Sequence, residues 1–182
     1  MAYFHRVPEY EIWTVSLDLA DPDHPRAGKP ELFLASKSDV RVPAFSPDGR
    51  WMAYVSAESG PLELYVRPFP GALSGSGKWQ VSTGNANGMP YWTRNGNELF
   101  YQAPDGRIWV AGYTAKGDSF AADQPRLWSE KAPPMQINQL DLMPTGKRFV
   151  AVMPASATER QTHVTFLLNF SDELRRRTRE VK

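Results

Sequence analysis

The sequence predicts an all-β protein, a partial β-propeller of about three and a half four-stranded antiparallel blades. The first observation is a repeat: strand–turn–strand segments centred on Gly49, Gly96 and Gly146 recur at spacings of 47 and 50 residues. These spacings are close to the roughly 40–50 residues of a propeller blade. The second is composition, since 12% aromatic residues, 16 prolines and 13 glycines favour strands and turns over helices. The third is the apolar alternation after the turns, which indicates half-buried strands.

The elements of each repeat follow in order from these signals. Glycine supplies the positive φ of a tight hairpin turn, so the first two strands of each repeat are predicted at 43–55, 90–102 and 140–152. Third strands are predicted at 62–66 and 108–111, and fourth strands, each after a loop, at 79–82 and 126–128. Upstream, a preceding blade is predicted from a second-strand remnant at Tyr3 and Phe4 and from strands at 10–17 and 32–34. Downstream, we expect a strand at 162–170 and a short helix at 172–179.

We therefore predict one propeller segment with five parts: a partial blade at 1–37, blades at 38–83 and 84–130, a partial blade at 131–171, and a C-terminal helix or tail at 172–182. Propellers close into rings of about 4–8 blades, because closure leaves no sheet edge unpaired. Three alternatives stay open at this point. The chain is a piece of a longer polypeptide, or a homodimer whose partial end blades complete one ring, or an open monomer.

Composition excludes several classes of partner. A formal net charge of +1 gives no basic field over the whole domain, so we expect no nucleic-acid binding. The arginine-rich run at 175–179 is interpreted as a solvated end. The absence of cysteine excludes disulfides, thiolate metal sites and cysteine nucleophiles. No apolar run has the length of a membrane span, and the first residues lack the apolar core of a signal peptide, so we expect no membrane contact by this segment.

The sequence contains no recognisable catalytic or cofactor-binding motif. A nucleophile elbow requires Gly-x-Ser-x-Gly, which is absent, and the glycine-rich stretch at 71–78 lacks the spacing of a phosphate-binding loop. The three histidines show no metal-ligand spacing, and prolines interrupt the aspartate cluster at 18–23. We therefore predict that the chain is not an enzyme and that it holds no cofactor and no metal.

Polar side chains precede or begin the innermost strands of the predicted blades. In a propeller these strands line the channel, and the loops that enter them surround its mouth. We expect a ligand-binding or partner-binding face there, formed by Asp39, Arg41, Asn85, Asn87, Gln136 and Asn138. The alternative is that these side chains only hydrate the channel.

Large aromatic residues occupy equivalent positions in successive repeats. They lie on predicted third strands at Trp13, Tyr65 and Trp109, and on first strands at Phe45 and Trp92. Packing between blades requires such periodic placement. We therefore predict that they are core residues; the alternative is a sugar-stacking platform.

Specific residues in these repeats resemble known propellers. Residues 45–54, Phe-Ser-Pro-Asp-Gly-Arg-Trp-Met-Ala-Tyr, resemble the WD-like repeat of TolB-type bacterial β-propellers. The segments at 58–60, 63–70, 78–84 and 97–101 are similar to propeller domains at the C-terminal end of bacterial serine/threonine protein kinases, most specifically Tyr-Val-Arg-Pro-Phe-Pro at 65–70. The third repeat departs from the pattern, because residues 143–146 read Met-Pro-Thr-Gly instead of Ser-Pro-Asp-Gly.

This resemblance implies a non-catalytic sensor or protein- and ligand-interaction module, the C-terminal part of a larger bacterial signalling protein such as a serine/threonine kinase. The kinase motifs themselves, including the Gly-rich ATP loop and Asp-Phe-Gly, are absent from the chain. Two alternatives remain: the gating propeller of a prolyl-oligopeptidase-like hydrolase, and a self-standing structural protein that closes its ring as a homodimer. The resemblance favours an extracytoplasmic or periplasmic location over the cytoplasm.

Overall fold

The computed structural model describes residues 1–6, 9–71, 77–84, 86–94, 97–130, 140–143 and 146–151, and all regular structure within them is β-strand. The strands are β1 (Ala2–Arg6), β2 (Tyr10–Asp18), β3 (Arg26–Ser36), β4 (Val40–Phe45), β5 (Trp51–Ser56), β6 (Glu63–Pro68), β7 (Trp79–Gln80), β8 (Tyr91–Trp92), β9 (Glu98–Gln102), β10 (Ile108–Lys116), β11 (Ser119–Ala122), β12 (Arg126–Ser129), β13 (Leu140–Leu142) and β14 (Phe149–Ala151). No helix in this part of the chain is long and apolar enough to cross a membrane.

The strands form four antiparallel sheets that follow one another along the chain. The first contains β1, β2 and β3, and the second is a four-stranded meander of β4 to β7. The third contains β8 to β12, and the fourth pairs β13 with β14. The predicted all-β class is thus confirmed. The predicted helix at 172–179 and strand at 162–170 lie outside the described residues, and the division into blades stays a prediction.

The sheets stack face to face, because apolar side chains fill both faces of the central strands. On β5, Trp51, Ala53 and Val55 contribute to the apolar cluster shared with the third sheet, whereas Met52 and Tyr54 join the cluster shared with the first. A third cluster, around Phe100, Ile108, Val110 and Leu140, lies between the third and fourth sheets. A strand alternates its side chains between two faces, so a strand buried on both sides lies between two neighbouring sheets. This is the stacking of propeller blades.

Five aromatic rings dominate the packing between the second and third sheets, and we call them the aromatic seam: Trp51, Trp79, Trp92, Tyr113 and Phe120. Phe120 is 2% exposed, and its ring centroid lies 5.2 Å from those of Trp51 and Tyr113. It also lies 6.0 Å from Trp79 and 6.2 Å from Trp92. Such spacings are typical of favourable aromatic pairs. Phe120 therefore packs against aromatic rings of both the second and the third sheet.

The sequence prediction of a loop between the third and fourth strands of this blade was wrong. Residues 119–122 form β11, which pairs with the extended end of β10 through a turn at Gly117 and Asp118. Gly117 has a φ of 57°, the left-handed geometry that a two-residue hairpin turn requires. Phe120 is the one fully buried residue of β11, and one residue gives no detectable periodicity.

Five aromatic residues were predicted to lie in the core, and the four that belong to the second and third sheets are confirmed. Tyr65 is 3% exposed, and Phe45, Trp92 and Trp109 pack against the apolar clusters. Trp13 differs, since it belongs to none of the three apolar clusters of the described residues, and its indole N–H donates to Glu11 at 2.7 Å.

The innermost strands of three sheets meet along one line. β4 contacts β8, and β8 contacts β13. Two side-chain bonds join them: the Trp92 indole N–H donates to the Ala44 carbonyl at 3.2 Å, and the Tyr91 hydroxyl donates to the Leu140 carbonyl at 2.7 Å. These strands form the channel wall, and both of its ends are candidate sites.

Candidate functional site

One end of the channel wall carries three of the residues predicted from the sequence. We call Asp39, Arg41 and Asn87 the loop-entry mouth. The Arg41 guanidinium donates to the Asp39 carboxylate and, at 3.5 Å, to the Asn87 side-chain oxygen. Both members of the ion pair are about one-third exposed or less. Residues 85, 136 and 138, the other predicted members, lie outside the described residues, so the full predicted face stays a prediction.

A β-bulge places Arg41 at this mouth. The pairing of β4 with β5 shifts between Arg41 and Ala44, and Val42 within that bulge has a φ of 50°. Val40 and Val42 would share a face in a regular strand, yet they belong to clusters on opposite sides of the second sheet. A β-branched residue rarely adopts positive φ, so packing of Val42 against the third sheet holds the bulge and fixes the backbone of Arg41.

The polar groups of the loop-entry mouth largely satisfy one another. Arg41 bonds to both of its described neighbours, and the backbone on either side is anchored, with the Asn87 amide donating to the Gln102 carbonyl at 2.9 Å. The Arg41 Nε atom is buried and has no partner among the described residues. Among the described residues, the Arg41, Asp39 and Asn87 side chains therefore already bond to one another, and of their buried polar atoms only the Arg41 Nε is left without a partner.

The other end of the wall forms a cavity of about 330 Å³, which we call the inner-turn pocket. It lies across the inner strands of the second, third and fourth sheets. Its lining residues are Ala44, Phe45, Pro47, Pro90, Tyr91, Trp92, Arg94, Asp141 and Leu142. The walls are mostly aromatic or aliphatic, with one guanidinium and one carboxylate. A cavity that combines aromatic and aliphatic walls with a few convergent polar groups is typical of ligand sites.

A rigid turn holds Pro47 at the rim of this pocket. The Asp48 carboxylate accepts hydrogen bonds from the Ser46 hydroxyl at 2.5 Å and from the Arg50 amide at 3.1 Å. Gly49 supplies the positive φ, 69°, that this turn requires. Burial raises the pKa of Asp48, but these bonds and the Arg50 charge outweigh it, so the pKa lies below its ordinary value. Asp48 is therefore ionised, and its carboxylate is engaged in hydrogen bonds within the turn.

Tyr91 forms the wall nearest the fourth sheet. Burial, together with the nearby Asp141 charge, raises the pKa of Tyr91 to about 12. The phenol is therefore neutral at physiological pH, and its proton is donated to the Leu140 carbonyl. The charges of the pocket are thus those of Arg94 and Asp141, both exposed, and neither side chain has a hydrogen bond or ion pair with another described residue.

This arrangement is suited to noncovalent recognition. Aromatic faces offer apolar and stacking contacts, and Arg94 and Asp141 offer one charge of each sign.

The part of the chain that the structure describes contains no group of three His, Cys, Asp or Glu side chains that could hold a metal ion. A second cavity of about 280 Å³ lies beside Asp18, Asp21 and His24 in the β2–β3 hairpin loop, where the His24 and Asp21 side chains, 2.9 Å apart, are exposed to solvent.

Sequence reasoning missed Arg94, Asp141 and Tyr91 as site residues. It searched the loops that enter the inner strands, whereas the pocket lies where those strands lead into their turns. The repeat itself carried a signal, because the hairpin glycines mark equivalent positions, and Pro47, Arg94 and Asp141, which precede those glycines in the chain, line one pocket.

Comparisons with known proteins support the fold. No protein-family model matches the chain, and no curated protein sequence matches it. Among solved structures, the chain is similar to TolB from Acinetobacter baumannii, with 18% sequence identity and a TM-score of 0.54 over 81% of this chain and 34% of that one. A putative TolB from Agrobacterium tumefaciens is 14% identical, with a TM-score of 0.40 over 67% of this chain and 48% of that one.

The first of these similarities covers only about a third of the TolB chain, 34% of its length. At this level of identity it bears on the fold alone, and it agrees with the resemblance of the hairpin motif at 45–54. The stacked antiparallel sheets, the shared apolar clusters and this structural similarity lead to one conclusion: the chain has the fold of a TolB-type β-propeller, as a partial ring.

Proposed function

We propose that this chain is a non-catalytic recognition module that binds a polypeptide segment of a partner protein in the inner-turn pocket. The observation that carries the proposal is the pocket itself, a cavity of about 330 Å³ walled by the inner strands of three sheets. A protein-interaction role agrees with the TolB-like propeller fold. An extended segment suits the site, because aromatic side chains are common anchors in protein interfaces.

The two ends of the channel favour the inner-turn pocket over the loop-entry mouth. At the mouth, a ligand would have to replace bonds that Arg41 already makes with Asp39 and Asn87. At the pocket, Arg94 and Asp141 have no described side-chain partners to give up. Breaking a made hydrogen bond costs binding free energy, whereas pairing an exposed group does not carry that cost.

Filling the pocket tests the proposal. Peptides are first selected against the wild-type protein from a random phage-displayed library, and their binding is then measured by calorimetry. Pro47→Trp places a large ring at the rim of the cavity, so we expect it to weaken binding of the selected peptides at least about tenfold, as loss of a central contact does.

The chain offers a matched control in Pro104→Trp. Pro104 begins an equivalent Pro-Asp-Gly turn, in which the Gly106 amide donates to the Ala103 carbonyl at 2.9 Å, but this turn does not line the pocket. Binding should be unchanged in that variant. Selected peptides that bind the Pro47→Trp variant as tightly as the wild type, or a selection that enriches no peptide, would contradict the proposal.

We further propose, from the resemblance of the hairpin and Tyr-Val-Arg-Pro-Phe-Pro segments, that the module is the C-terminal part of a larger bacterial signalling protein such as a serine/threonine kinase, located outside the cytoplasm. The complete reading frame tests this, because an encoded kinase domain supports it and an α/β-hydrolase domain favours the gating-propeller alternative. Light scattering tests the homodimer alternative, since a monomer of 20.5 kDa would remove it.

A further inference from the structure

The hairpin turns next to the inner-turn pocket carry an excess of positive charge. Arg94 precedes the turn between β8 and β9, and Lys147 and Arg148 follow Gly146 in the turn between β13 and β14. All three side chains are on exposed residues. Of the three, Arg94 lines the pocket itself, together with the carboxylate of Asp141.

These two turns lie against each other. A Cβ atom on Gly146 would come within 2.8 Å of the Thr93 methyl group, and Thr93 is the residue before Arg94. Gly146 itself has a φ of 69°, and Lys147 follows it directly in the chain. Basic residues of two neighbouring sheets thus lie in adjoining turns, next to the cavity that Arg94 lines.

The remaining turn of this rim is electrically balanced. In the Ser46–Arg50 turn, Asp48 accepts from the Arg50 amide and lies in the field of the Arg50 guanidinium, and that guanidinium donates to the Gly117 carbonyl. Among the described residues of these turns and of the pocket lining, the remaining charges are three cations, Arg94, Lys147 and Arg148, against one carboxylate, Asp141. This gives a local charge of +2, whereas the whole chain carries +1.

We propose that the inner-turn pocket selects acidic peptides, namely segments in which an aromatic or aliphatic residue is flanked by aspartate or glutamate. This inference rests on the proposed function and adds the chemical class of the ligand. The apolar residue enters between Phe45, Tyr91 and Trp92, where it replaces water against aromatic faces. The flanking carboxylates pair with the cations of the rim, which attract them over a distance of about a Debye length.

The test uses three fluorescein-labelled peptides that differ only in charge. In the first, a phenylalanine is flanked on each side by two aspartates; in the second and third, serines and lysines replace the aspartates. Fluorescence anisotropy measures their binding to the full chain. The aspartate peptide should bind about tenfold more tightly than the serine peptide at low salt, and added sodium chloride should shrink this difference.

Charge reversal at the rim sharpens the test. Arg94→Glu should weaken binding of the aspartate peptide about tenfold and should strengthen binding of the lysine peptide. Arg94 is exposed and has no described partner, so this variant should fold, which circular dichroism and the unfolding midpoint will check. Lys37→Glu is the matched control, because it reverses an exposed charge beside the loop-entry mouth and should leave binding unchanged.

The outcomes separate this inference from the proposed function. If the serine and aspartate peptides bind equally tightly, and Pro47→Trp abolishes both, the pocket binds peptides but the acidic preference is wrong. The preference is also wrong if Arg94→Glu has no more effect on binding of the aspartate peptide than Lys37→Glu. If no peptide binds the wild type at millimolar concentration, both proposals fail.

Discussion

The aromatic seam lies between the second and third sheets, and the channel wall combines strands of these two sheets with a strand of the fourth. The two regions use their side chains in opposite ways. In the seam, rings such as Trp51 and Phe120 are nearly inaccessible to solvent and pack within one apolar cluster. Along the channel, polar groups pair with each other at one end and stay exposed at the other. Trp92 belongs to both regions, because its side chain packs against the seam cluster and also lines the inner-turn pocket. Of the five seam residues, Trp92 is therefore the one through which a change in stability can also affect binding in the pocket.

The largest effect we expect is from Phe120→Ala in the seam. Phe120 contacts four other aromatic rings, so its truncation leaves a cavity and should lower the free energy of unfolding by about 3–5 kcal/mol. Denaturant unfolding measures this change. Phe4→Ala makes the same substitution at a residue that is 46% exposed and should cost less than about 1 kcal/mol.

The Phe120 variant also tests whether the two regions are joined through Trp92. Phe120 lies against Trp92 but does not line the pocket. Under conditions where the variant stays folded, peptide binding should weaken because the Trp92 ring loses support, and Phe120→Leu should restore most of it. If Phe120→Ala and Phe4→Ala destabilise the protein equally, packing of the Phe120 ring does not stabilise the seam.

An intermediate effect is expected from alkaline pH. Burial raises the pKa of Tyr54 to about 12, in part against the opposing charge of Arg67, and Tyr91 at the channel also has a raised pKa of about 12. A tyrosine with a raised pKa contributes stability that is fully present below its unfolded pKa of about 10 and is lost as pH rises toward 12. For Tyr54, which is 1% exposed, this loss is on the order of 2–3 kcal/mol.

Unfolding midpoints measured between neutral pH and pH 12 check this expectation, with absorbance of the phenolate as an independent probe. The Tyr54→Phe variant should lose less stability over the same pH range, because phenylalanine has no proton to release. Tyr91→Phe should have a smaller effect, since Tyr91 is only partly buried. A steep loss of stability well below pH 10 would contradict the assignment to these phenols.

The seam was more predictable from the sequence than the channel, for a physical reason. Alternation along β5 and β6, together with the repeat of hairpin glycines, specifies which faces are apolar and therefore how the sheets stack. Phe120 escaped prediction because its hairpin shows no periodicity and owes its position to tertiary contacts. At the channel, the sequence identified polar residues near an inner strand. It could not show that the Arg41 guanidinium would donate hydrogen bonds to Asp39 and Asn87. Pairing between distant side chains depends on register and on the bulge at Val42, which no local signal encodes.

The smallest effect is expected at the loop-entry mouth, and it decides between the two ends of the channel. The ion pair of Arg41 and Asp39 is partly exposed, so a double-mutant cycle of Arg41→Met and Asp39→Asn should give a coupling free energy of about 0.2–1 kcal/mol. Peptide binding should change less than about twofold, a free-energy change of roughly 0.4 kcal/mol, because neither residue lines the inner-turn pocket. A strong loss of binding in either single variant, with stability preserved, would transfer the recognition site to the mouth that the sequence first indicated. The loop-entry mouth would then be a binding site that its internal hydrogen bonds preorganise. The exposed cations around Arg94 would then be solvated turn residues without a role in binding.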